Sequence, residues 1–313
     1  MTEFLEHKPV LYREVVEFMK FADRKVRIID GTLGNGGHTK LLLEANSGAE
    51  VLGIDRDTQA LERAAINLKE FSDRVHFFHG TFSNMREFAT ELGWDEVDGI
   101  LLDIGVSSPQ LDDAKRGFSW RMDGPLDMRM DRKSPLTASR ILNNYSKEEL
   151  IDIFRKYGEI PQAAKLADFI IRQREIKPLQ TTADFVAVCD EALGGKGRAK
   201  SLPAPTLPFQ AIRIAVNDEL GELERALQQS FGLLAKGGIL EVISFHSLED
   251  RIAKHFMKEL SCGCICPPSF PVCVCNHKPE LEILTKGVIT AQKDELEENK
   301  RSSCAKLRIA RKL

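Results

Sequence analysis

"IIDGTLGNGGH" (residues 28–38) runs two isoleucines and an aspartate into four glycines and a histidine. A buried strand that stops at such a loop and continues as a helix is the ligand-binding turn of an open α/β sheet, where ligands sit beyond the carboxyl ends of the strands. One glycine is enough for a tight turn. Gly31, Gly34, Gly36 and Gly37 together indicate a backbone that must approach a ligand closely, at a helix N-terminus that favours negative charge. The dinucleotide pattern G-x-G-x-x-G fails because Thr39 stands where its third glycine belongs, and the Walker Lys-Ser/Thr pair is absent.

Outward from this loop the chain alternates. "VRIID" (26–30), "EVLGID" (50–55), "RVHFFHG" (74–80) and "VDGILLDIG" (97–105) read as strands, and "HTKLLLEAN" and "TQALERAAINLKEF" as helices, with Thr58 as an N-cap. Near-continuous apolar strands separated by helices predict a parallel sheet covered on both faces, the doubly wound, Rossmann-like α/β pattern. Residues 106–136 break the rhythm. A connection that long with little period is functional or disordered, and Phe118, Trp120 and Leu126 argue against plain disorder. Capping-box spacings then open helices at Ser146 with Glu149 and at Thr181 with Asp184, and another helix follows Pro161. Ile212, Val216, Leu220, Leu223 and Leu227 share one helical period. "GGILEVISFHS" (237–247) is a fifth strand, and a closing strand pair ends the chain. The expected organisation is one α/β domain, 1–111 with 209–313, split by a helical insertion at 112–208 that recognises substrate.

The strand ends carry the candidate chemistry. Asp55 closes the second strand, where a carboxylate can accept from both hydroxyls of a ribose. That suits NAD and also S-adenosylmethionine, whose loop need not cradle phosphates. Asp30 could face the amine of the donor, Phe82 lies near the adenine, and Asp103 reaches the rim. An exocyclic base amine is a poor nucleophile because its lone pair is delocalised into the ring. A carboxylate accepting its N–H bonds makes it a better one, a role open to Asp103; the alternative is a bond to the cofactor or the following turn. No Pro-Cys pair follows the fourth strand to suggest covalent attack on a ring. His246 ends the fifth strand and is the second catalytic candidate, against the simpler reading of a well-capped helix.

Arg116, Trp120, Arg121 and Arg129 mix cations with aromatics, which suits phosphate contact and base stacking on RNA. The interleaved aspartates make a salt-bridged lid the alternative. Lys196 and Arg198 form a second basic loop. A net charge of −3 is not the global footprint of a nucleic-acid binder, so such binding would be local. No apolar run or N-terminal leader pattern indicates a membrane or secretion, and the expected compartment is the cytoplasm. Five of the seven cysteines fall between 262 and 275. Their C-x-C spacing departs from the usual zinc pattern, so thiols packing a loop is preferred over structural zinc and no metal ligand is assigned.

"HKPVL" (7–11), "DGTLGNGGH" (30–38), "GIDRD" (53–57), "LLDIGVSSPQLDDAKRGFSWRMDGPLDMRMD" (101–131), "FQAIRIAVNDEL" (209–220) and "VISFHSLEDR" (242–251) together resemble the bacterial small-subunit ribosomal RNA cytosine-N4 methyltransferase family. The resemblance runs from residue 7 to the C-terminal "AKLRIA". It implies an S-adenosylmethionine-dependent Rossmann domain with a helical insertion, and methylation of one cytidine N4 in the decoding region of 16S ribosomal RNA. The cofactor positions it implies are Gly36, Gly37, His38, Asp55, Phe82, Asp103 and Gln110. The chain departs from the family at Leu207, where arginine is usual, at Trp120 for phenylalanine, and at Cys304 for serine. The expected partner is 16S ribosomal RNA in the small ribosomal subunit, with no membrane; the oligomeric state is left open, a homodimer included. Two other readings stay open: methylation of another acceptor, and an RNA-binding ribosome assembly factor with little turnover. A dinucleotide dehydrogenase ranks third.

Overall fold

The structure is a computed structural model; it describes residues 8–22, 24–194, 202–264, 266, 272, 274, 275 and 277–313. Seven strands form one sheet: β1 (Val26–Asp30), β2 (Ala49–Asp55), β3 (Val75–His79), β4 (Val97–Asp103), β5 (Leu234–Ser244), β6 (Leu281–Ile283) and β7 (Lys306–Lys312). Their order is β3-β2-β1-β4-β5-β7-β6. The first five run parallel, and β7 is antiparallel to both neighbours. Alternate residues feed two cores. Ile29, Leu52, Ile100, Leu102, Leu240 and Val242 face one layer, while Ile28, Val51, Leu101, Ile239 and Ile243 face the other. This two-sided burial is why the strands read as continuous apolar runs. Strand order reverses between β1 and β4, so the switch-point crevice opens where Asp30 and Asp103 end their strands.

The chain divides into two compact units, 1–105 with 220–313, and 106–219. The expected limits were 112 and 208. At the second limit the difference lies in the segment from 209 to 227, whose single apolar period predicts one helix. The chain instead forms helices Thr206–Asn217 and Glu219–Leu233, separated by Asp218 in the left-handed region (φ 47°). Ile212 and Val216 join the core of the helical unit, while Leu223 and Leu227 join a core of the sheet unit. Periodicity persists across the break because each half packs its own apolar face.

The helical unit has its own core, including Leu126, Met128, Ile141, Leu150, Phe154, Leu166 and Phe185. Phe185 stacks on Phe209 with ring centroids 5.0 Å apart. Both expected capping boxes are present, Ser146 with Glu149 and Thr181 with Asp184. Asn217 fixes the long loop after β4. Its side chain donates to the Met128 carbonyl at 2.8 Å and accepts from the Met130 amide at 2.8 Å. One cap differs from expectation. Asp57, not Thr58, caps helix Thr58–Asn67, its carboxylate accepting from the Gln59 amide at 3.1 Å. His246 is itself the N-cap of helix Ser247–Leu260, in a reciprocal box with Glu249.

Candidate active site

β1, β2 and β4 each end on an aspartate, and the three have different surroundings. Asp30 is buried and already engaged: Thr39 Oγ1 donates to it at 2.7 Å and the Thr32 amide at 3.2 Å. Burial pushes its carboxyl above the usual range, against those two bonds. It therefore braces the glycine loop.

Asp55 accepts the Gly34 amide at 2.8 Å on one oxygen and the Asp57 amide at 2.8 Å on the other. Each carboxylate oxygen keeps a further lone pair, so the group can still accept from a diol. Burial raises its pKa to about 6, against these amide bonds. The sign follows. A carboxyl raised in the folded state favours folding when protonated, and that contribution is lost as pH rises through about 6. The ionised acceptor is present only above it. Donor affinity, measured by calorimetry, is therefore expected to be flat above pH 7 and to fall below about pH 6, by up to about tenfold per unit. Asp55→Asn is expected to weaken binding by about 10- to 100-fold and to flatten that profile. An unchanged affinity would remove Asp55 from the site.

Asp103 differs from both. Its backbone amide donates to Thr32 Oγ1 at 2.6 Å, while its Oδ1 is buried without a hydrogen-bond partner. His38, in the first turn of helix Gly37–Ala45, brings Nε2 to 3.5 Å from Asp103 Oδ2, and neither ring nitrogen has a hydrogen-bond partner. Buried polar atoms are normally satisfied, so this pair has hydrogen-bonding capacity that the chain itself does not use. The helix carries no side-chain cap, because its N-cap is Gly36. Its first-turn amides are therefore open to a carboxylate.

The glycines serve packing. Gly36 has φ 82°, and a Cβ there would lie 2.7 Å from Leu68 Cδ1. At Gly31 a Cβ would lie 2.7 Å from Leu102 Cδ2 and 3.0 Å from Phe82 Cβ. Phe82 itself is buried, with the Arg56 guanidinium 5.7 Å from its ring centroid. Gly36, Gly37, His38, Asp55, Phe82 and Asp103 thus share one end of the sheet. Gln110 belongs to the helical unit, where it accepts from the Ser107 amide at 3.2 Å in a capping box. Thr32 and Thr39 were passed over in the sequence. They sit inside the motif, but Thr39 registered only as a missing glycine, and hydroxyls that brace carboxylates leave no periodic signal.

His246 caps its helix through Nδ1, which accepts from the Glu249 amide at 3.4 Å; its Nε2, 3.0 Å from Glu249 Oε1, is buried without a hydrogen-bond partner. Two RNA candidates need correction. Arg116 is only 3% exposed, and its guanidinium donates to the Arg129 and Met130 carbonyls at 2.9 and 3.0 Å. Arg129 grips both oxygens of Asp127 at 2.8 Å and donates to the Arg132 and Ser134 carbonyls. Neither cation is presented to a phosphate; they staple the loop, and Arg129 holds Asp127 below the usual carboxylate range against the opposing push of burial. Arg121 is exposed, 5.2 Å from the ring centroid of Trp120, which packs against the helical core. Lys196 and Arg198 lie outside the described residues.

Among the described residues no helix is long and apolar enough to cross a membrane. The model of the MraW methylase family matches residues 4–313. The chain is 49% identical over 314 residues to the ribosomal RNA small subunit methyltransferase H of Nitratidesulfovibrio vulgaris strain DP4, covering 99% of this chain and 97% of that protein. It is 44% identical over 310 residues to the same-named protein of Halothermothrix orenii, covering 99% of each. It is 46% identical over 309 residues to that of Heliobacterium modesticaldum, covering 98% of each. A match along almost the whole chain places this chain in the MraW methylase family, as a methyltransferase.

Proposed function

We propose that this chain methylates the exocyclic N4 of a cytidine in the decoding region of 16S ribosomal RNA, in the cytoplasm, with the small ribosomal subunit as its partner. The sheet unit holds the donor and the helical unit, 106–219, meets the RNA. The observation that carries this reading is the Asp103–His38 pair, whose Oδ1, Nδ1 and Nε2 are buried without hydrogen-bond partners at the carboxyl end of β4. The names of the relatives supply the acceptor class, small-subunit ribosomal RNA.

S-adenosylmethionine supplies a methyl group on a sulfonium, activated for in-line displacement without a metal. The chain's own task is positioning and proton handling. Asp55 accepts from the ribose hydroxyls, and the open amides at Gly37 and His38 face the donor's carboxylate. Asp103 accepts an N–H of the cytidine amine, localising the nitrogen lone pair. It takes up the proton released as the N–C bond forms. Trp120 and Arg121 offer a stacking face and a cation to a single-stranded segment.

The test uses purified protein, radiolabelled S-adenosylmethionine and small subunits lacking the modification, with the RNA digested to nucleosides and analysed by mass spectrometry. Label on cytidine N4 is expected. Label on another nucleoside, or none while donor binding is intact, overturns the acceptor assignment. RNA binding without turnover would make the protein an assembly factor.

A further inference from the structure

A cluster remote from the donor site lies between helix Ser247–Leu260 and β6. The Glu280 amide donates to the Leu260 carbonyl at 2.8 Å, closing the base of a long connection. Of its residues, Cys264, Cys266 and Cys275 bring their sulfurs within 4.8 Å of one another. Cys275 and Cys264 are 3.8 Å apart, Sγ to Sγ. Two sulfurs bound tetrahedrally to one zinc at about 2.3 Å each lie about 3.8 Å apart. The Val274 amide donates to Cys266 Sγ at 3.4 Å, the kind of bond that stabilises a ligating thiolate.

We propose that Cys264, Cys266 and Cys275 supply three ligands to a structural Zn²⁺. Three convergent sulfurs favour a soft or borderline cation over calcium or magnesium, which take oxygen ligands. Binding replaces three thiol protons with metal–thiolate bonds, the protons passing to solvent, and no electron transfer is involved. The site's place in the fold makes it structural. β6 starts at Leu281 opposite Lys312, and Arg311 of β7 pairs with Ile239 of β5, five strand positions below Ser244. The loop therefore joins the sheet at the end away from Asp30, Asp55 and Asp103. A metal held by three thiolates would tie the two ends of this connection together.

The experiment is a cobalt(II) titration of the reduced, metal-free full chain, followed by zinc displacement. One cobalt per chain is expected, with a thiolate-to-cobalt charge-transfer band and the visible bands of tetrahedral cobalt, both abolished by zinc. Cys264→Ser with Cys275→Ser should remove these bands, while Cys304→Ser should leave them. Donor binding should survive metal removal, and thermal stability should fall. If the serine variants do not fold, alkylation of the wild-type chain decides: zinc should protect Cys264, Cys266 and Cys275 and leave Cys304 reactive. No charge-transfer band, bands that survive the double substitution, or no zinc protection of these cysteines overturns the proposal.

Discussion

Asp103→Ala is expected to lower the single-turnover rate of methyl transfer by about 100- to 1,000-fold at saturating donor, with RNA binding unchanged. The structure separates this side chain from the fold that carries it. The amide of Asp103 is held by Thr32 Oγ1 at 2.6 Å, and its strand register with Ile243 is set by backbone bonds. Removing the carboxylate therefore leaves β4 in place. Its Oδ1 has no hydrogen-bond partner, so truncation orphans nothing that was satisfied, and stability should change little. Two roles are distinguishable. If Asp103 only binds the donor, the loss appears in the donor KM and disappears at saturation. If it accepts the N–H and the proton of the acceptor amine, the loss stays in the rate at saturation. Asp103→Asn sharpens the test, because the amide keeps the shape and one acceptor but cannot take the proton. A rate unchanged by Asp103→Ala would sink the proposed chemistry.

The strands were readable because burial on both faces writes itself into sequence as unbroken apolar runs, and the capping boxes because their partners are three residues apart. Asp30, Asp55 and Asp103 read alike as strand-end carboxylates; what distinguishes them is their hydrogen-bond partners, which sequence does not show. The failures involve partners that sequence distance hides. Arg116 and Arg129 looked like phosphate ligands, since composition cannot show that their guanidinium groups are spent on loop carbonyls and Asp127. Asp218 hid a helix break because the apolar period continues through it while the core it serves changes. The convergence of Cys264, Cys266 and Cys275 is likewise invisible in their spacing, which departs from the usual knuckle although the sulfurs meet.

Glu241→Met is expected to stabilise the protein by about 1–3 kcal/mol near neutral pH, read from denaturant unfolding. Glu241 lies in mid-β5, paired with Leu101 on one side and Ile309 on the other, and is completely buried. By alternation it points into the layer of Ile239 and Ile243, and neither carboxyl oxygen has a hydrogen-bond partner. Burial pushes its carboxyl well above the usual glutamate range, so the folded chain carries it protonated where the unfolded chain has released the proton. Folding then takes up a proton. The stability tied to this group is fully present below the unfolded pKa of about 4.3. It is lost as pH rises toward the folded value, at up to about 1.4 kcal/mol per unit. Methionine fills similar space without polar atoms, so its advantage should be larger at pH 8 than at pH 5. Glu241→Gln isolates the ionisation: it cannot titrate but still buries an unsatisfied amide, and should flatten the pH dependence while gaining less than methionine. Equal slopes of stability against pH in the wild type and the glutamine variant would mean that Glu241 finds water or a partner and titrates normally. The group would then cost the fold little, and methionine should give no gain.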